Sequence, residues 1–216
     1  FNTVLYTGNG GTQRIGGYIN RAAVFNGSNS YIDTNYTVPS SSTFSISWWQ
    51  NLSYVGSNEY IFADYLPSTD DRTFAVFHTG TTIGVVGAGI TPNAVSTTTI
   101  GSWMHFAVVL NGTTLKIYKN GSEIQSRSIT ARAAAGVTSL VIGRYGHYSG
   151  HSLFNITGKI DQVRIFDKAL SSSEVTTLYG ETSASTTKST TDIFDDNSGV
   201  ALYQLDGYAN DSSGTS

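Results

Sequence analysis

The run Met104–Leu110 is apolar at every position except His105, the pattern of a strand covered on both faces. Leu115 and Ile117 then alternate with Lys116 and Tyr118, as in a strand with one wetter face. Asn111-Gly112 and Asn120-Gly121 punctuate this stretch. Asn-Gly between strand-like runs signals a hairpin, because a type I′ turn needs φ > 0 at both central residues. Residues 103–129 therefore read as three antiparallel strands. A further Asn-Gly, Asn26-Gly27, follows Ala22-Ala23-Val24-Phe25 and precedes Tyr31-Ile32. Other strand-like runs are Phe44–Leu52, Glu59–Asp64, Thr73–His78, Thr82–Val86, Ser139–Gly143 and Thr157–Asp167. So many strands overfill one sheet, and two packed sheets are expected. One short helix is expected near the C-terminal end. Ser171-Ser172-Ser173-Glu174 matches a capping box, and Val175 and Leu178 share a helical face.

After Gly180 the texture changes. Residues 181–191, ETSASTTKSTT, have the composition of a flexible Ser/Thr-rich linker. Residues 192–216 turn strand-like again at Val200-Ala201-Leu202-Tyr203-Gln204-Leu205. So short a segment cannot build a core of its own. The expected organisation is a sandwich over 1–180, a linker over 181–191, and a strand segment over 192–216 that completes this or a neighbouring domain.

Composition narrows the setting. A length of 216 residues suits one all-β sandwich. Charged residues make up 12% of the chain, well below the usual share, while Gly reaches 23 and Tyr 13. That balance fits an extracellular β-protein or a viral structural protein. The net charge of −3 and the lack of a basic stripe speak against nucleic acid as a partner. With no cysteine there is neither a disulfide nor a thiolate metal site, which leans towards a microbial or phage source. No stretch approaches the roughly 18 apolar residues of a membrane-spanning helix. The chain opens on Phe1 with no signal-peptide pattern, which suits a processed product or a piece of a longer polypeptide.

Three blocks carry a resemblance. The first is Ala22-Ala23-Val24-Phe25-Asn26-Gly27, then Tyr31-Ile32 and Phe44-Ser45-Ile46-Ser47-Trp48-Trp49. The second runs from Trp103-Met104-His105-Phe106 through Leu115-Lys116-Ile117-Tyr118-Lys119-Asn120-Gly121. The third is Ile142-Gly143, Gly158-Lys159-Ile160-Asp161-Gln162-Val163-Arg164-Ile165-Phe166, Ala169-Leu170-Ser171 and Glu174. Together they resemble the bacterial and phage branch of laminin-G-like, concanavalin-A-like lectin and glucanase jelly rolls. The resemblance implies an all-β, two-sheet antiparallel jelly-roll sandwich with one short C-terminal helix. The tail block Ala201-Leu202-Tyr203-Gln204-Leu205-Asp206-Gly207, followed by Asn210-Asp211-Ser212-Ser213-Gly214, looks like the opening strand and loop of such a domain, placed at the wrong end. Either it closes its own sandwich as a circular permutation, or it enters a neighbour in an array. The tandem habit of the family leans towards the second.

Catalysis is not expected. Glucanases of this family alternate two Glu and an Asp along one strand. Here the four Glu are Glu59, Glu123, Glu174 and Glu181, and none lies in such a cluster. Asp70-Asp71 reads as a polar turn. His105 lies within a central strand and His78 at the end of one, and no Ser-His-Asp arrangement stands out. The loop Arg144-Tyr145-Gly146-His147-Tyr148-Ser149-Gly150-His151 offers stacking faces and donors for a sugar or a protein. Arg144, Tyr145, His147, Tyr148 and His151 are therefore candidate ligand contacts, together with Trp49, whose neighbour Trp48 should face the other way.

Calcium is the one cofactor worth weighing, since similar jelly rolls often hold a structural ion. Asp206, Asn210 and Asp211 form an oxygen-rich loop. Asp161 shares a strand face with Val163 and Ile165. Burial there would demand a calcium ion, an Arg or backbone N–H groups as partner.

Two functions follow. One is a non-catalytic structural or adhesive module at a cell or virion surface, such as a phage appendage, a decoration protein or a bacterial surface array. It would join neighbouring copies or tandem domains through residues 192–216. The other is a lectin module for an extracellular or cell-surface polysaccharide. Both imply an extracellular or virion-surface location, and neither a membrane-inserted one.

Overall fold

A computed structural model describes residues 16–19, 21–39, 41–64, 73–87, 90–96, 98–130, 138–145, 154–181 and 193–205. The strands are β1 (Ala23–Asn26), β2 (Ile32–Thr37), β3 (Thr43–Tyr54), β4 (Glu59–Ala63), β5 (Ala75–Thr79), β6 (Thr82–Gly87), β7 (Ile90–Ser96), β8 (Met104–Asn111), β9 (Thr114–Lys119), β10 (Ser122–Ser128), β11 (Ser139–Ile142), β12 (Thr157–Phe166) and β13 (Gly199–Tyr203). One helix, α1 (Ser172–Tyr179), precedes β13. All ladders are antiparallel. One sheet has the order β1-β12-β3-β8-β9-β10, with β13 also on β12; the other is β2-β11-β4-β5-β6-β7. This is the expected two-sheet jelly-roll sandwich.

The core follows from alternation. Phe44, Ile46 and Trp48 of β3 and Phe106, Val108 and Leu110 of β8 point into one buried cluster with Phe62, Phe74 and Val76 of the opposite sheet region. Trp48 meets Phe62 edge-on across the sandwich, with centroids 5.0 Å apart. A polar relay runs through this core. Trp48 Nε1 donates to Gln50 Oε1 at 2.9 Å, and Gln50 Nε2 lies 3.0 Å from His78 Nε2. His78 Nδ1 lies 3.2 Å from the Thr82 carbonyl, so the network assigns the proton to Nδ1. His78 is structural, as expected of a buried histidine with filled partners.

The turns divide into two kinds. Asn120 and Gly121 have φ of 48° and 79° and join Lys119 to its partner Ser122, the expected type I′ geometry. At the β8–β9 turn, Asn111 is instead paired with Thr114. The loop is Gly112-Thr113 with φ > 0 at Gly112 alone, a type II′ turn. Asn26-Gly27 is not a hairpin at all. β1 and β2 lie in different sheets, and the Asn26 side chain caps the corner by accepting from the backbone of Ser28, Asn29 and Ser30. β7, which contains Pro92, escapes the sequence reading and lies at a sheet edge, where a missing N–H is tolerated.

α1 carries the expected capping box: Glu174 N donates to Ser171 Oγ, and Ser171 N donates to Glu174 Oε2 at 2.7 Å. Val175 and Leu178 bury against Ala107, Val109 and Tyr118 on the outer face of the seven-stranded sheet.

The tail pairs with its own chain. β13 lies along β12 with Tyr203 opposite Val163 and Ala201 opposite Ile165. β1 occupies the same edge of β12 one step further on, with Ala23 opposite Ile160. Ala201, Tyr203 and Leu205 enter the main core. Tyr203 donates its hydroxyl to the Thr34 carbonyl of the facing sheet at 2.9 Å. Within this chain, β13 thus pairs with β12 and fills part of the main core. The reason is complementarity: the segment brings three core side chains and the ladder partners of an otherwise open edge.

Candidate functional site

The outer face of the six-stranded sheet gathers the chemistry. Opposite residues share a face, so the pairs Val141↔Asp33 and Val141↔Ala63 place Asp33, Val141 and Ala63 together. Leu140 and Ile142 go to the core. Over the β4–β5–β6 half of this face lies an aromatic floor. Tyr60, Phe77 and Tyr145 cluster with Ala63, Ala75 and Val86, and Phe154 packs against them. Tyr60 and Tyr145 are 4.3 Å apart, and Tyr145 meets Phe154 edge-on at 5.8 Å.

At the β2–β11 end the same face is polar. Ser139 donates to Asp33 Oδ1 at 2.6 Å, and the backbone N–H of Asn35 donates to the same oxygen at 3.0 Å. The Arg144 guanidinium lies 3.6 Å over the Tyr31 ring. Burial lowers the Arg144 pKa from its ordinary value, opposed by the nearby Tyr31 and Asp33. All four side chains are half-buried. A carboxylate, a hydroxyl, a phenol ring and a guanidinium thus line one rim beside a rigid aromatic floor. Such a set can accept and donate hydrogen bonds to hydroxyl-rich ligands and hold their orientation. Gly143, just before Arg144, has φ 93°, and a Cβ there would stand 2.3 Å from the Phe25 ring. Only glycine fits, and this close approach sets where Arg144 begins.

The candidate contacts separate on this map. Arg144 is on the rim. Tyr145 is a floor residue, 6% exposed, and its ring is covered rather than offered. Trp49 does face away from the core, as expected, but it is buried too. Tyr18 stacks on it at 3.3 Å and Tyr179 at 5.7 Å. Trp49 is therefore a packing residue, because α1 and the 16–19 segment cover its sheet face. His147, Tyr148 and His151 lie outside the described residues. Tyr31, Asp33 and Ser139 were not singled out from sequence, and only the alternation of Tyr31 and Asp33 around Ile32 hinted at a shared outer face.

Asp161 is completely buried, but not beside Val163 and Ile165. A bulge between Asp161 and Arg164, with Gln162 at φ 47°, reverses the alternation. Asp161 instead lies opposite Trp49 on the outer face. Its carboxylate accepts from Ile19 N at 2.9 Å and Gln162 N at 2.8 Å. Backbone N–H groups, one of the three kinds of partner expected, are thus among its partners. Asp206, Asn210 and Asp211 lie outside the described residues. Among the described residues no group of three His, Asp or Glu could hold a metal.

One pair has the look of hydrolase chemistry. Ser47 Oγ lies 2.8 Å from His105 Nε2. Yet His105 Nδ1 has no hydrogen-bond partner, so no carboxylate orients the ring. Burial first, and then Arg164, pushes its pKa down to about 3. Trp49 and Tyr179 cover it. A buried, unoriented imidazole beneath aromatic rings has no access to substrate.

The fold is that of a lectin-like β-sandwich. The chain belongs to the concanavalin A-like lectin/glucanases superfamily, of laminin-G type, whose sequence profile matches residues 6–176. Solved structures share the fold. A putative carbohydrate-binding protein from Bacteroides ovatus is 17% identical over 88% of this chain and 52% of that one, with a TM-score of 0.63. Domain 4 of the extracellular arabinanase AbnA from Geobacillus stearothermophilus, in complex with arabinotriose, is 22% identical over 83% and 82%, with a TM-score of 0.54. The CBM40 of Ruminococcus gnavus IT-sialidase, bound to α2,3-sialyllactose, is 14% identical over 64% and 83%, with a TM-score of 0.54. No curated protein matches the chain in sequence.

Proposed function

We propose that this chain is a non-catalytic glycan-binding module of a surface or extracellular assembly, reading polysaccharide at the Tyr31–Asp33–Ser139–Arg144 rim. The observation that carries the reading is the Arg144 guanidinium stacked on Tyr31 beside the Ser139–Asp33 pair, on a face floored by packed aromatics. Three structural relatives, two of them holding an oligosaccharide and the third named for carbohydrate binding, support it by analogy. His147, Tyr148 and His151 follow Arg144 closely in sequence and remain candidate contacts. An adhesive role on a virion appendage or a bacterial surface array is compatible, because attachment through glycans is itself adhesion.

A glycan array tests this. Binding to one polysaccharide class, with Arg144→Ala losing about tenfold in affinity while still unfolding cooperatively within a few degrees of the parent, is the expected result. Loss of one charged contact of 1.5–3 kcal/mol sets that scale at about tenfold or more. Silence across all glycans, or release of reducing ends from a bound one, would overturn it.

A further inference from the structure

The edge of β12 has a divided occupancy. Its other side pairs with β3 from Thr157 to Phe166. On the free side, β1 takes Thr157–Ile160 and β13 takes Val163–Phe166. Both run in the same direction, so β13 ends where β1 begins. The last strand in sequence thus lies directly ahead of the first on one shared edge.

Among the described residues, the body of the fold supplies the contacts that hold β13 there. The ladder comes from β12, and Asp167 N donates to the Ser198 carbonyl at 3.0 Å. The buried slot for Ala201, Tyr203 and Leu205 comes from the main core. Thr34 accepts the Tyr203 hydroxyl. Lys168 pairs with both Glu174 and Asp196 and lies over the Phe194 ring. Phe194 in turn meets Phe166 at 5.6 Å. The covalent tie between strand and body is residues 182–192, which can reach about 40 Å at 3.3–3.6 Å per residue.

We propose that the β12 edge at Val163–Phe166 accepts residues 193–205 of a second copy of this chain, giving strand-exchanged oligomers. Every contact named above is reproduced unchanged by an identical strand from another copy. The closed and exchanged forms then differ mainly in how concentrated the strand is around the slot. Only eleven residues, 182–192, connect strand and body in sequence, and a connection that short supplies a local concentration of the order of millimolar. Dilute protein therefore closes on itself, and copies held together at similar density exchange. Reciprocal exchange closes a dimer, whereas sequential exchange propagates a chain.

The chain has no cysteine, which makes a clean test available. Ile165 and Ala201 are directly opposite each other, at a separation an antiparallel pair shares with disulfides. Ile165→Cys and Ala201→Cys chains are mixed at millimolar concentration, refolded from urea together and oxidised. The expected result is a covalent heterodimer, absent when either variant is treated alone. The double variant on one chain, refolded dilute, should close an intramolecular disulfide and so prove that the pair can react. Closure in the double variant without any heterodimer in the mixture would overturn the proposal. Light scattering of the unsubstituted chain refolded at rising concentration gives a second reading. A mass that climbs from monomer is expected, and a monomer at every concentration would contradict exchange.

Discussion

Tyr203 is the residue on which the tail's role can be measured. It is 2% exposed, contributes its ring to the main core, and donates its hydroxyl across the sandwich to Thr34 O at 2.9 Å. Tyr203→Phe removes the donor alone and leaves the Thr34 carbonyl buried, at a cost of about 1–2 kcal/mol. Tyr203→Ala also empties the ring's volume, and truncation of a buried aromatic costs about 3–5 kcal/mol. For a domain of this size, 1 kcal/mol corresponds to roughly 2–4 °C in melting temperature. The phenylalanine variant should therefore melt about 2–8 °C lower and the alanine variant about 6–20 °C lower. Circular dichroism melts with matched urea titrations provide the assay. If both variants stay within about 0.5 kcal/mol of the parent, β13 does not belong to this core, and the pairing with β12 is wrong.

Other consequences follow from single contacts. Ser171→Ala breaks the capping box and should cost about 0.5–2 kcal/mol in urea titrations; no change would mean that α1 is not held by its cap. Asp161→Asn weakens a buried carboxylate that accepts from two backbone N–H groups, with an expected loss of about 1–3 kcal/mol that is the same in EDTA as in calcium; a loss confined to calcium buffer would point to a metal instead. His78 and His105 are kept neutral by burial, with pKa values lowered to about 4 and about 3 from 6.5. The unfolded chain therefore takes up these protons first, so their contribution is full above pH 6.5 and fades as the pH falls towards 4. Between pH 6.5 and 5, before most carboxylates titrate, stability should drop by on the order of 1 kcal/mol per histidine per pH unit; a flat urea midpoint over that window would contradict the burial of both rings.

Local signals carried the fold a long way. The β8–β9–β10 meander, the opposed orientations of Trp48 and Trp49, and the Ser171 cap follow from alternation and turn chemistry within a few residues. What stayed hidden was set by distant contacts. Asn26-Gly27 has the composition of a hairpin, but the chain changes sheets there, and no local pattern records a change of sheet. The left-handed Gln162 flips Asp161 to the outer face, which regular alternation cannot anticipate. Trp49 points outwards, but its cover comes from Tyr18 and from Tyr179 at the end of α1, far away along the chain. The rim is of the same kind, since Asp33 and Ser139 meet only because β2 pairs with β11. The ladder's choice of edge likewise decides the tail, whose strand character is legible while its partner is not.

The central claim is that this sandwich reads glycans at the rim of the six-stranded sheet without cleaving them. An amide-resolved NMR titration, using the oligosaccharide that the array identifies, tests it most directly. Saturable shifts centred on Tyr31, Asp33, Ser139 and Arg144, with the sugar recovered intact, are the expected result. Shifts centred on the Trp49–Tyr179 face, or a sugar recovered shortened, would contradict it.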